Sequence, residues 1–254
     1  MTALGVAPTS IGPVDGVLFD VDDTLVDTRG AFVHALAAVA GAYLPAGAAD
    51  RVDEMLAAWR ADTGGHYRAY TRGELGFVEQ RLLRANQLHE LFGGPALSEA
   101  DFAAWDEVFD AGFVAGWRAH EDASVLVDRL LAAGLPVGAL SNAGVAYQEN
   151  KLARTGFGGR VPMLVGVDTL GVGKPDPAVF LEAARRLGTD PARTVYVGDE
   201  LDIDAAAAAA AGLVGIWLDR PGGRRVHVHD REVAAAGVPV ITTLAELPAL
   251  LGLG

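Results

Sequence analysis

Apolar positions fall into two patterns along this chain, and the two patterns mark out two kinds of territory. Five short runs are apolar at nearly every position: GVLF (16–19), PVGAL (136–140), MLVGV (163–167), TVYVG (194–198) and LVGIWL (213–218). Short runs without polar alternation fit strands of a parallel sheet that is covered on both faces. Stretches with helical spacing separate the later runs. DASVLVDRLLAAG opens with the capping candidates Asp122 and Ser124 and stops at Gly134. KPDPAVFLEAARRLG offers Asp176 as an N-cap, Pro177 in the first turn and Gly188 past the end. Alternation of this kind predicts an α/β fold with a doubly wound parallel-sheet (Rossmann-like) core.

Residues 29–119 are patterned differently. AFVHALAAVAGAYL, RVDEMLAAWRA, ELGFVEQRLLRANQLHELF and EADFAAWDEVFDAGFVAGW keep a helical period, and no strand interrupts them. The expectation is an inserted all-helical domain over 29–119, with the α/β core built from 1–28 and 120–254. Trp59, Trp105, Trp117 and the phenylalanines at helical spacing are expected inside that insert. His66, Tyr67, Arg68 and Arg72 form a polar, aromatic stretch in it, which a solvated helix end explains as well as a substrate contact does. The alanine run 205–211 reads as helix.

Composition narrows the function classes. Half the residues are hydrophobic (51%), which is ample for a packed core. A net charge of −13 speaks against nucleic-acid binding and against adhesion to anionic membranes. There is no cysteine, hence no disulfide, no thiolate nucleophile and no Cys-ligated metal. MTALGVAPTSIGPVD has neither the positive start nor the continuous apolar core of a secretory signal. The longest weakly polar run, AAAAAAAGLVGIWL from Ala205, has 14 residues. A spanning helix wants roughly 18 or more. The expectation is a cytoplasmic protein, monomer or homodimer, with no membrane and no nucleic-acid partner.

The chemistry sits where the apolar runs end. The first run leads into Asp20-Val21-Asp22-Asp23-Thr24, the second into Ser141-Asn142, and the fourth into Asp199-Glu200 with Asp202 and Asp204 close behind. In an open parallel sheet, ligands bind beyond the carboxyl ends of the strands, so these groups converge on one crevice. Lys174 precedes a proline and a helix start. Of 20 basic residues only Lys151 and Lys174 are lysines, so a retained lysine carries some information. Aspartates 20, 22 and 199 in one cleft repel, by about 4 kcal/mol per pair at 4 Å and an effective dielectric of 20. A divalent cation and an ammonium offset that repulsion, and oxygen-only donors suit a hard ion such as Mg²⁺.

DVDDT at 20–24, SN at 141–142, KP at 174–175 and GDELDID at 198–204 resemble, in order, the four motifs of the haloacid dehalogenase-like hydrolase superfamily. Each string is weak alone; four in order are a strong signal. The resemblance covers the chain outside the helical insert, and the insert lies where one branch of the family carries a helical cap. The resemblance implies that Asp20 is the nucleophile, forming an aspartyl-phosphate, and that Asp22 is the general acid and base. It implies Mg²⁺ held by Asp20, the Asp22 main-chain carbonyl and Asp199. A further acid completes the site, Asp204 by its spacing in preference to Asp202 or Glu200. Ser141 would bind the phosphoryl group and Lys174 would neutralise it, with Thr24 and Asn142 expected at the substrate. Position 23 is Asp where many relatives have Gly, and Glu200 stands where many have Ser.

Within the superfamily, Asp22 disfavours carbon–halogen hydrolysis, since the dehalogenases lack that second aspartate. The absence of any lysine from the insert disfavours phosphonate hydrolysis through a cap Schiff base. It also disfavours a sugar-phosphate mutase, which remains the alternative enzyme. A receiver-like switch shares the fold but not the long insert. A silent phosphate-binding protein would be expected to have lost an aspartate or the lysine. The expectation is therefore a Mg²⁺-dependent phosphatase acting on a small phosphorylated metabolite.

Overall fold

The structure is a computed structural model that describes residues 11–224 and 227–253. Its elements, in chain order, are β1 (Gly16–Phe19), α1 (Thr28–Tyr43), α2 (Val52–Ala61), α3 (His66–Thr71), α4 (Phe77–Phe92), α5 (Glu99–Gly116) and α6 (Glu121–Ala132). There follow β2 (Val137–Leu140), α7 (Val145–Arg154), β3 (Met163–Val165), α8 (Val167–Leu170), α9 (Pro177–Leu187) and β4 (Thr194–Gly198). The chain closes with α10 (Ala206–Ala210), β5 (Val214–Leu218), α11 (Asp230–Ala236), β6 (Val240–Ile241) and α12 (Leu247–Leu250). They group into two compact units, one from the segments up to Val26 and from Ala119 onward, the other from Asp27–Arg118.

The first unit is a six-stranded parallel sheet in the order β3-β2-β1-β4-β5-β6. This is the doubly wound α/β arrangement that the strand–helix alternation predicts. Alternate residues of a strand face opposite ways. Thus Val17 and Phe19 of β1 join Val195 and Val197 of β4 in the core on one face, while Leu18 and Tyr196 join Leu140 and Phe180 on the other. All four residues of β1 are buried, which explains why its sequence shows no polar alternation.

Two local expectations are revised. The sixth strand was not expected: two residues are too few to register as an apolar run, and β6 exists because it pairs with β5, Trp217 opposite Val240. Helix α6 starts two residues before an Asp122 cap would place it, with His120 rather than Asp122 or Ser124 at its N-cap. The carboxylate of Asp122 is taken by distant partners, Arg220, Thr243 and the Leu244 amide. Helix α9 does begin at an Asp176 cap with Pro177 in the first turn, and Gly188 ends it at φ +79°.

The second unit is helical throughout, α1 to α5 with one short 3-10 turn at Ala48–Arg51. Its centre is a run of rings: Trp59, Trp105 and Phe109 lie with centroids 5.0–6.3 Å apart. Trp59, Trp105 and Trp117 are all buried, as expected of core residues. Trp105 Nε1 donates to His89 Nε2 at 2.8 Å, and His89 Nδ1 reaches the Pro95 carbonyl at 2.7 Å, so both ring nitrogens of a buried histidine are used. No helix among the described residues is long and apolar enough to cross a membrane.

Candidate active site

The ends of β1, β2 and β4 are neighbours, because β1 lies between the other two. The chain leaving β1 curls back at once. Val21 O accepts from the amides of Leu25 and Val26, and Asp23 N donates to Val26 O at 2.8 Å. That curl places Asp23 at φ +59°, a left-handed conformation that aspartate tolerates better than most residues. Asp20 stays in register with the sheet, its amide donating to Val197 O at 2.9 Å.

Lys174 organises the centre. Its ammonium has three hydrogens to give, and three acceptors surround it: Asp20 Oδ1 at 2.7 Å, Asp204 Oδ1 at 2.6 Å and Tyr196 Oη at 2.9 Å. Lysine, both aspartates and the tyrosine are all buried. Burial alone would lower the Lys174 pKa, but the two carboxylates prevail and hold it well above the usual lysine value. Burial pushes the Asp20 carboxyl up to about 8, with the charges of Asp204 and Asp22 adding to the rise and Lys174 opposing it.

Asp204 is delivered by the wide helical turn Leu201–Ala205, its Oδ2 accepting from Glu200 N at 2.9 Å. The turn fits because residue 198 is glycine: a Cβ there would come within 2.3 Å of Asp204 Cγ. Asp199 follows that glycine, its carbonyl accepting from Trp217 Nε1 at 2.9 Å. Burial pushes the Asp199 carboxyl well above its ordinary value, and the charges of Asp23, Glu200, Asp204 and Asp20 push it further. Oxygens of Asp20, Asp199 and Asp204 lie within 4.8 Å of one another, a set that could hold a metal ion. Three carboxylates, two of them pushed toward protonation by burial and by neighbouring acids, form an oxygen-only donor set that a hard divalent cation fits.

The second strand end supplies Ser141 and Asn142. Ser141 Oγ accepts from Ala143 N at 3.2 Å and Gln148 Nε2 at 2.7 Å, which leaves its own hydrogen to donate. Asn142 and Thr24, both expected at the substrate, have the following surroundings. Both ends of the Asn142 amide are spent on the Lys174 backbone, Oδ1 on its N–H at 2.6 Å and Nδ2 on its carbonyl at 3.0 Å. Asn142 therefore fixes the segment that carries the lysine. Thr24 is fully buried, and its carbonyl accepts from Arg220 at 3.1 Å.

Three participants were not singled out from sequence. Tyr196 lies inside an apolar run, where it reads as core. Gln148 and Lys151 lie on α7, an amphipathic helix whose polar residues read as surface. Yet Lys151 Nζ reaches Asp22 Oδ1 at 2.5 Å and Gln148 Nε2 reaches Asp22 Oδ2 at 2.6 Å. The signal for Lys151 was present in the composition, since the chain has only two lysines.

Over residues 14–212 the chain matches the model of the haloacid dehalogenase-like hydrolases. It belongs to that family. A glyceraldehyde 3-phosphate phosphatase of Methanothermobacter thermautotrophicus is 28% identical over 240 residues, 91% of this chain and 98% of the relative. Two further curated relatives align over shorter stretches, the chain spanning 37% and 44% of their length. Among solved structures, a hydrolase of the family from Deinococcus radiodurans with bound phosphate and sodium is 26% identical. It superposes at a TM-score of 0.66 over 94% of this chain and 96% of its own. The fold is also that of Bacillus subtilis YfnB bound to magnesium, at 23% identity and a TM-score of 0.72 over 94% of this chain and 99% of that one.

Proposed function

We propose that the protein is a Mg²⁺-dependent phosphatase that hydrolyses a small phosphorylated metabolite through an aspartyl-phosphate on Asp20. One observation carries the reading: a buried carboxylate, Asp20, is clamped by Lys174 beside two further acids whose oxygens converge with its own. The relative named as a glyceraldehyde 3-phosphate phosphatase and the phosphate-bound structure support it.

Asp20, Asp199 and Asp204 would hold the Mg²⁺, with the Asp22 main-chain carbonyl that the resemblance adds. Bound there, the ion supplies positive charge against a phosphoryl oxygen and offsets the repulsion among the carboxylates. The protein's own residues do the rest. An oxygen of Asp20 attacks phosphorus while the ester oxygen departs with a proton from Asp22. Ser141 donates its free hydrogen to the phosphoryl group, and Lys174 neutralises charge shared between that group and Asp20. Asp22, now a carboxylate, takes a proton from water as the water attacks phosphorus. Phosphate leaves and Asp20 is restored. The helical unit, as the cap of this family branch, is the part we propose to select the leaving group.

Hydrolysis of p-nitrophenyl phosphate, with and without Mg²⁺, tests this beside the Asp20→Asn variant. Metal-dependent release of phosphate by the wild type alone is expected. Equal rates in the two proteins would overturn the assignment of Asp20.

A further inference from the structure

Asp22 is gripped by two side chains that none of the four motifs contains. Gln148 and Lys151 are three residues apart on α7, so they leave the helix on one face. Both are buried, at 0% and 1% exposure. Lys151 takes one carboxylate oxygen of Asp22 and Gln148 the other, and the same Gln148 nitrogen donates to Ser141 Oγ. One helix face thus ties the acid after β1 to the hydroxyl after β2.

The arrangement is not what packing alone would select. A carboxylate only accepts, so Asp22 dictates which end of the Gln148 amide faces it. The other end, Oε1, is then buried with no partner among the described residues. Buried acceptors are rarely left bare, and an apolar residue would fill the same space without that cost. Burying an ammonium is likewise expensive unless a specific partner requires it.

We infer that Lys151 and Gln148 are positioning residues for Asp22, holding its carboxyl in line with the leaving oxygen and coupling that setting to Ser141. The inference rests on the phosphatase reading of Asp22. A carboxyl held at one oxygen keeps a choice of rotamers; held at both, it has one, and proton transfer depends on that alignment.

The test compares kcat/KM for p-nitrophenyl phosphate and phenyl phosphate in the wild type, Lys151→Met, Lys151→Arg and Gln148→Leu, all with Mg²⁺. This parameter reads the steps up to departure of the leaving group. Phenol is about as basic as a tyrosine hydroxyl, pKa about 10, and needs the proton that Asp22 gives. Nitrophenolate is a much weaker base and leaves with little help. Lys151→Met and Gln148→Leu should each lose at least about tenfold more on phenyl phosphate than on p-nitrophenyl phosphate. Lys151→Arg should recover part of that difference. Equal losses on the two esters, or none, overturn the inference. Should Lys151→Met not fold, Gln148→Leu carries the comparison. Failure of both to fold would make the pair a structural brace and overturn it too. A wild type inactive on both esters, and no different from Asp20→Asn, would instead remove the phosphatase reading beneath it, so the two failures are told apart.

Discussion

Replacing Asp122 by asparagine removes one charge and almost no volume, and the surroundings of that charge say what it is worth. The side chain is 17% exposed and receives four hydrogen bonds, from Arg220 Nη1 and Nη2 at 2.9 and 2.8 Å, Thr243 Oγ1 at 2.7 Å and Leu244 N at 2.9 Å. Burial works to raise its pKa, but the bonds from Arg220, Thr243 and Leu244 outweigh it and hold the carboxyl at about 2, against an ordinary 3.8. At about 1.4 kcal/mol per tenfold, that difference stabilises the native state by about 2 kcal/mol at neutral pH. The folded value lies below the unfolded one. The contribution is therefore whole above pH 3.8 and is lost as pH falls toward 2. An asparagine amide with its oxygen in the place of Oδ2 still faces Arg220 Nη1, Thr243 Oγ1 and Leu244 N, but without the charge, and it turns its NH₂ on Arg220 Nη2 in the place of Oδ1. Asp122→Asn should melt roughly 4–8 °C below the wild type at pH 7, as read by scanning calorimetry. The gap should narrow as the pH is taken below 4. A gap under about 1 °C at pH 7, or one that stays constant on acidification, would refute the reasoning.

Two other perturbations test different parts of the molecule. Gly198→Ala would set a methyl within 2.3 Å of Asp204 Cγ. The carboxylate must then move from Lys174, so phosphate release should fall more than about tenfold with a stability loss of about 1–3 kcal/mol, and wild-type turnover would contradict the geometry. His89 is kept below its usual pKa by burial, against the opposing bond to Pro95, and its Nε2 accepts from Trp105. Its folded value lies below the unfolded one of about 6.5, so stability is full above that pH and declines as pH falls through it. Urea melts followed by tryptophan fluorescence, which three helical-unit tryptophans out of four dominate, should lose midpoint between pH 7.5 and 5.5 in the wild type and less in His89→Gln. Identical losses would dismiss His89 as the cause.

What could be read before the structure, and what could not, divides by the range of the interactions. Asp20, Ser141 and Asp199 follow apolar runs, and a run's end is a local property, so their convergence followed once the sheet was parallel. Asp176 and Pro177 announce a helix start because a cap bonds within its own turn. Asp122 looked like the same kind of signal, yet its partners are about 100 residues away. A motif names Asn142 without its partner in the fold, and that partner is the backbone of Lys174. Gln148 and Lys151 escaped because a helical wheel shows which residues share a face, never which carboxylate waits opposite. Strand β6 is two residues long and is defined by its neighbour alone.

Both lysines of these 254 residues are spent on site carboxylates, at 1% and 3% exposure. The folded chain thus presents no lysine ammonium to water, and arginine carries the cationic side of its surface. Reagents and modifying enzymes that act on lysine amines, acylating agents above all, find no such target until the hydrolase unit opens. Solubility and chemistry have been assigned to different cations, so the surface could change its charges freely without touching either ammonium of the site.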